Sequence, residues 1–139
     1  MIKNNNFMIK YNNREFKDLF INYCGKNPTI YPVFDGSVIY KSINEHIVPS
    51  LSGVYFIHDF RGFLYIGETN NLRKRFKQHL NVETNKNLIN LLENPFGEVK
   101  FFWIDTETKM LAVKLQKYWI RELKPFSNYI KYKTNNRSN

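Results

Sequence analysis

The sequence predicts a small α+β domain in which a three-stranded antiparallel sheet is flanked by helices. The chain has 139 residues, of which 42% are hydrophobic and 17% aromatic, so it has enough apolar material for one core. Two β-rich runs follow each other closely, and apolar residues at helical spacing then alternate with one further β-rich run. We therefore expect the order strand, strand, helix, helix, strand, helix, preceded by an N-terminal extension.

The first 50 residues are predicted to form this extension. Apolar residues recur at helical spacing over 13–24, which indicates a helix. Asp35-Gly36 lies between the β-rich flanks 30–34 and 38–40, a pattern typical of a hairpin, and Ser42 is expected to cap a short helix over 43–47. The extension is a candidate for target recognition or for contact between two copies of the chain.

The predicted main domain covers 51–130, and a basic polar tail covers 131–139. Leu72, Phe76 and Leu80 recur at helical spacing, so their side chains are expected to face the core. The elements expected in this domain are strands over 53–58 and 63–67, helices over 70–80 and 86–93, a strand over 99–104 and a helix over 108–123.

The charge balance points to a polyanionic partner. Lys and Arg number 21 against 12 Asp and Glu, a formal net charge of +9, although such a surplus also serves solubility alone. The single cysteine, Cys24, excludes an intrachain disulfide and favours a reducing compartment. We expect no membrane span and no secretion, and hence a place in the cytoplasm.

Four side chains are expected to converge on one surface. Tyr55 and Tyr65 lie on consecutive predicted strands, and Arg75 and His79 stand four residues apart on the following helix, which places them on one helix face. A phenol can relay a proton from an attacking water, and a guanidinium can stabilise the charge that develops on a phosphate. The set therefore favours phosphodiester chemistry.

The order of these motifs resembles the GIY-YIG endonuclease family. Gly53-Val54-Tyr55, then Tyr65-Ile66-Gly67, then the stretch Thr69 to His79 follow the pattern of that family, and the segment Trp119 to Asn128 resembles its closing segment. The resemblance covers roughly 51–130, and it leaves the first 50 residues unexplained.

The resemblance implies a DNA endonuclease that uses one divalent ion, Mg²⁺ or Mn²⁺, in each active site. By this resemblance the catalytic residues are Tyr55, Tyr65, Arg75, His79 and Asn128, and one of the two tyrosines activates the water. The family carries a glutamate metal ligand on the last helix. Cleavage of both DNA strands would then need a homodimer or two successive events.

This sequence departs from the family at the metal position, where Gln116 stands in place of the expected glutamate. An amide oxygen supplies no charge, and Mg²⁺ sites usually rely on one or two carboxylates, so we expect weakened cleavage. Gln116 is either natural, in a degenerate nuclease that only binds DNA, or a deliberate Glu→Gln change. Glu68 is expected to be exposed to solvent. The alternative is that its carboxylate serves as a second metal ligand.

Three basic residues on the predicted helix, Arg73, Lys74 and Lys77, are expected to contact DNA phosphates without reading sequence. The biological setting implied by the resemblance is restriction, phage-encoded degradation of DNA, mobile-element cleavage or repair. Two other functions remain open: a non-catalytic DNA-binding module, and a protein-interaction domain whose basic face meets an acidic partner.

Overall fold

The computed structural model describes residues 32–81 and 85–128, which form an antiparallel sheet with helices on both faces. The predicted helix over 13–24 and the tail 131–139 lie outside the described residues. The strands are β1 (Gly36–Ile39), β2 (Gly53–Asp59), β3 (Gly62–Thr69) and β4 (Lys100–Asp105), and the helices are α1 (Leu72–Asn81), α2 (Lys86–Glu93) and α3 (Lys109–Leu123), with a 3₁₀ helix at Ser42–Ile47.

The sheet confirms the α+β prediction but has four strands, in the order β1-β4-β2-β3, where three were predicted. The added strand β1 comes from the predicted extension and pairs with β4, with Gly36 opposite Trp103 and Ile39 opposite Lys100. The hairpin expected around Asp35-Gly36 is therefore wrong, since residues 32–34 form no strand. A β-rich pattern indicates a strand, but it does not say which distant strand will be its partner.

Strands β2 and β3 form a hairpin that places β3 at the edge of the sheet. The turn between them leads into Gly62, whose φ of 115° is a backbone conformation that favours glycine. A β-bulge interrupts the pairing between Ile57 and His58, and the register beyond it sets Tyr55 opposite Gly67. This register fixes which side chains of the hairpin share a face.

The helices begin and end close to the predicted residues because each has a local signal in the sequence. The hydroxyl of Thr108 accepts a hydrogen bond from the Leu111 amide at 3.2 Å and caps α3, and Asn85 caps α2 in the same way. Lys124 adopts a left-handed conformation after α3, and Pro125 follows. The N-cap residue of the 3₁₀ helix is Lys41, and Ser42 is the first residue of that helix. The prediction that Ser42 caps it is therefore wrong by one residue.

Two apolar layers lie on the two faces of the sheet. Helix α3 covers one face, where Leu115 and Trp119 pack against Val54 and Ile66. The 3₁₀ region and helices α1 and α2 cover the other, where Tyr55 and Phe76 are fully buried. In the described ranges no helix is long and apolar enough to cross a membrane.

Candidate active site

The hairpin places both motif tyrosines on the face of the sheet that α1 covers. Tyr55 is only 1% exposed and its ring stacks on Phe101, with the ring centroids 5.4 Å apart and the planes within 7° of parallel. Tyr65 is half-buried, and its ring centroid lies 6.0 Å from that of Tyr55. The Tyr55 phenol is thus buried inside the domain, whereas the Tyr65 phenol is partly exposed to solvent.

Helix α1 brings Arg75 and His79 to the Tyr55 hydroxyl. The Arg75 Nε donates a hydrogen bond to the Tyr55 oxygen at 3.1 Å, and the His79 Nε2 lies 2.7 Å from the same oxygen. Because the phenol accepts from a guanidinium, its own proton is free to be donated to the imidazole. In that case His79 accepts at Nε2 and carries its proton on Nδ1. We call this group of three side chains the Tyr55 centre.

The surroundings keep the Tyr55 centre in one protonation state near neutral pH. Burial, followed by repulsion from Tyr65, raises the pKa of Tyr55 well above its usual value, although Arg75 opposes the shift. Burial, and then the positive charge of Arg75, lowers the pKa of His79 to about 3. Tyr55 and His79 are therefore both neutral at pH 7, and Arg75 carries the only charge among these three side chains.

Gly67 is required by the close approach of the Tyr55 hydroxyl. A Cβ atom at this position would lie 2.3 Å from the Tyr55 oxygen and 2.4 Å from the carbon that bears it. Both atoms belong to the Tyr55 side chain, which is held in place by ring stacking on Phe101 and by the contacts of its hydroxyl with Arg75 and His79. Any larger residue at 67 would push the phenol away from Arg75 and His79.

Asn128 holds the exposed edge of strand β3. Its Oδ1 accepts a hydrogen bond from the Ile66 amide at 2.7 Å, and its Nδ2 donates to the Ile66 carbonyl at 2.9 Å. The side chain is only 5% exposed and acts as a one-residue strand pairing with β3. The structure therefore places Asn128 at the edge of the sheet, paired with Ile66, which is the residue after Tyr65.

Gln116 does not join the Tyr55 centre. It is half-buried on α3, and α3 packs on the face of the sheet opposite the one that carries Tyr55. Glu68 lies on the same face as α3, since Gly67 beside it points toward Tyr55 and successive strand residues point to opposite faces. One carboxylate oxygen of Glu68 is buried and has no hydrogen-bond partner, so the prediction that this side chain is exposed is wrong for that oxygen.

The three basic residues of α1 have different surroundings. Arg73 donates from Nε to the Val48 carbonyl at 2.8 Å and from a terminal nitrogen to the His46 carbonyl at 3.0 Å, so it clamps the 3₁₀ region onto α1. Lys77 is exposed and lies 3.5 Å from Glu45, and Lys74 is exposed. Only Lys74 and Lys77 present their charges at the surface, a difference that sequence spacing could not show.

A cavity of about 400 Å³ is lined by His79 but not by Tyr55. Its wall includes Tyr40, whose hydroxyl is buried without a hydrogen-bond partner, together with apolar side chains such as Leu92 and Val99. Tyr40 is not among the predicted site residues, because nothing in the local sequence pattern shows that β1 pairs with β4 and brings this ring against Phe76 and Phe101.

The fold and the tyrosine–arginine–histidine cluster together define the class of the protein, a small α+β domain of nuclease type. The chain belongs to the GIY-YIG catalytic domain family, whose sequence model matches residues 51–133. The resemblance inferred from the motifs is thereby confirmed.

Known proteins similar to this chain include UvrABC system protein C. The protein from Dictyoglomus thermophilum is 32% identical over 81 residues, which are 58% of this chain and only 13% of that protein. The crystal structure of the UvrC N-terminal endonuclease domain from Thermotoga maritima, bound to its catalytic magnesium, has a TM-score of 0.51 and 22% identity and covers 61% of this chain and 91% of that one. A point mutant of that domain, with alanine in place of an asparagine, matches with the same TM-score.

Proposed function

We propose that this chain is a divalent-metal-dependent DNA endonuclease that hydrolyses phosphodiester bonds. The observation that carries the proposal is the Tyr55 centre, in which a buried phenol holds a guanidinium and an imidazole beside a half-buried second phenol. Membership of the GIY-YIG family supports the same chemistry. The magnesium bound by the UvrC domain of Thermotoga maritima supports the choice of cofactor.

The proposed reaction is the attack of a water oxygen on phosphorus, with breakage of the bond to one bridging oxygen. The attacking water loses a proton, and the departing oxygen gains one. We assign the proton relay from water to Tyr65, because its phenol is in part open to solvent while that of Tyr55 is committed to Arg75 and His79. Arg75 would stabilise the extra negative charge on the phosphate oxygens.

Tyr55 and His79 are proposed to position Arg75 rather than to take part in proton transfer themselves. The hydroxyl of Tyr55 accepts a hydrogen bond from the Arg75 Nε, which fixes the orientation of the guanidinium. His79 keeps that hydroxyl in place from the other side. Asn128 would support the site by holding the strand that carries Tyr65.

The side chains on the α3 side of β3 fit an oxygen-liganded cation. The buried Glu68 oxygen without a partner is a carboxylate donor, and Gln116 offers an amide oxygen from α3. Because β3 is the edge strand of the sheet, a Mg²⁺ or Mn²⁺ held there would supply positive charge to a phosphate lying at that edge and lower the pKa of a bound water. No group of three or more His, Cys, Asp or Glu side chains suited to a metal lies within residues 32–81 and 85–128, so water would complete the coordination.

We propose that Gln116 weakens cleavage, because an amide holds a divalent ion less tightly than a carboxylate. The experiment is nicking of supercoiled plasmid in Mg²⁺ or Mn²⁺ by the chain and by its Gln116→Glu variant. Lys117→Gln, a change of equal charge at the next position, is the matched control. We expect Gln116→Glu alone to nick about tenfold faster or more. Equal rates for all three proteins would remove position 116 from the metal site.

A second candidate function is a DNA-binding module without catalysis, which the neutral side chain of Gln116 favours. It predicts that the chain and Gln116→Glu retard duplex DNA and that neither nicks it.

In both functions we propose that Lys74 and Lys77 contact phosphates, and that Arg73 contributes less because its donors hold the 3₁₀ region. An acidic protein partner instead of DNA would leave duplex DNA unretarded at moderate salt.

We extend the proposal to the oligomeric state of the chain during cleavage and to its biological setting. One metal ion in each active site cuts one strand, so double-strand cleavage would need a homodimer or two successive events. Restriction, phage-encoded DNA degradation and mobile-element cleavage, in the cytoplasm of a bacterial or phage-infected cell, are the settings that we propose.

A further inference from the structure

The carboxylate of Glu68 is set between the edge strand of the sheet and helix α3. Glu68 pairs in register with Val54, and both Val54 and Ile66, two residues along β3, belong to the apolar layer that α3 covers. The adjacent residue Gly67 faces the Tyr55 hydroxyl on the other side. Glu68 therefore lies directly behind the Tyr55 centre, separated from it by one strand.

The Oε2 atom of Glu68 is buried and accepts no hydrogen bond, and no ion pair joins Glu68 to any part of the chain that the structure describes. A buried acceptor without a partner destabilises the folded chain, and more so when it is charged. Two other side-chain atoms in the described ranges share this condition, the Tyr40 hydroxyl and the Trp119 indole nitrogen, but both belong to neutral groups. Of these three atoms in the described residues, the Glu68 oxygen is the one that belongs to a carboxylate.

We propose that Glu68 is the carboxylate ligand of the divalent cation in this chain and replaces the carboxylate that is absent at position 116. The inference rests on the proposed function, because it concerns the same cofactor. A cation would neutralise the buried oxygen, and one carboxylate with several waters is the usual environment of Mg²⁺. The amide oxygen of Gln116, from the helix packed on the same face, would be a weaker second ligand.

The test is direct titration of the chain with Mn²⁺, followed by calorimetry, in comparison with Glu68→Gln. The matched control is Glu122→Gln, which removes the same charge from an exposed position on α3. We expect one Mn²⁺ to bind to the chain and to Glu122→Gln with the same affinity. Glu68→Gln is expected to bind about tenfold more weakly or worse.

A second measurement separates a ligand from a merely structural residue. Without metal, Glu68→Gln is expected to be at least as stable as the parent, because it removes a buried charge. Excess Mn²⁺ raises the melting temperature only of proteins that bind it when folded, so we expect the shift in the parent and its loss in Glu68→Gln. Equal affinities of parent and Glu68→Gln, or no Mn²⁺ binding by the parent, would overturn the proposal.

Failure of this inference and failure of the proposed function give different results. If the chain nicks plasmid and Glu68→Gln binds Mn²⁺ as well as the parent, Glu68 is not the ligand and the nuclease proposal stands. If Mn²⁺ binds through Glu68 but neither the chain nor Gln116→Glu nicks DNA, the metal site stands and the nuclease proposal fails.

Discussion

Replacing Tyr55 by phenylalanine tests whether the Tyr55 centre is held together by its hydroxyl. The ring keeps its stacking on Phe101, so the change removes only the oxygen that accepts from Arg75 at 3.1 Å and meets His79 at 2.7 Å. His79 is 5% exposed, and loss of its buried partner costs about 1–3 kcal/mol. Arg75 is half-buried and can turn toward water, so its share is about 0.5–1.5 kcal/mol.

We therefore expect Tyr55→Phe to lower the free energy of unfolding by about 1.5–4.5 kcal/mol in urea denaturation monitored by tryptophan fluorescence. Tyr65→Phe is the control, because this hydroxyl also bonds Arg75 but is half-buried and has water as an alternative partner, and we expect it to cost less than about 1 kcal/mol. Both variants are expected to lose plasmid nicking. A Tyr55→Phe variant as stable as the parent, or equal losses in the two variants, would refute the reasoning.

Three further predictions concern the supports of the site. Gly67→Ala is expected to cost about 1–3 kcal/mol in urea denaturation, because the new methyl group overlaps the Tyr55 hydroxyl; an unchanged midpoint would contradict this. Asn128→Ala is expected to speed hydrogen exchange of the Ile66 amide, measured by NMR, and equal protection in both proteins would argue against the clamp. The pKa of His79 is about 3 when folded and 6.5 in the reference state, so the unfolded chain binds a proton below pH 6.5 that the native chain does not, and stability falls as the pH falls from there toward 3. Between pH 7 and 5 we expect the parent to lose about 2 kcal/mol more than His79→Gln, and parallel losses would count against the shift.

Local signals in the sequence account for most of the elements that carry the site. The helix over 86–93 has the predicted bounds, and α3 begins one residue after its predicted start because Thr108 is its cap. The ten-residue spacing of the tyrosines placed them on paired strands. Such features depend on neighbours along the chain, so one sequence suffices to predict them.

Features that depend on distant residues could not be predicted. The pairing of β1 with β4 joins residues more than sixty positions apart, and the pattern around Asp35-Gly36 favoured a local hairpin instead. The sequence predicts Arg73 as a phosphate contact, because it cannot show that the 3₁₀ region lies beside this side chain and accepts its hydrogen bonds. The burial of one Glu68 oxygen follows from the packing of α3 on β3, which periodicity does not show.

The measurement that tests the central claim most directly is metal-dependent nicking of supercoiled plasmid by the chain and by its Arg75→Ala variant, each with Mg²⁺ or Mn²⁺ and with EDTA. If the Tyr55 centre is the catalytic centre, nicked circles accumulate with the parent and metal, and neither EDTA samples nor Arg75→Ala produce them. Gln116→Glu is included to raise a slow rate into the measurable range. Undiminished nicking by Arg75→Ala, or no nicking by either the parent or Gln116→Glu in the presence of metal, would contradict the account.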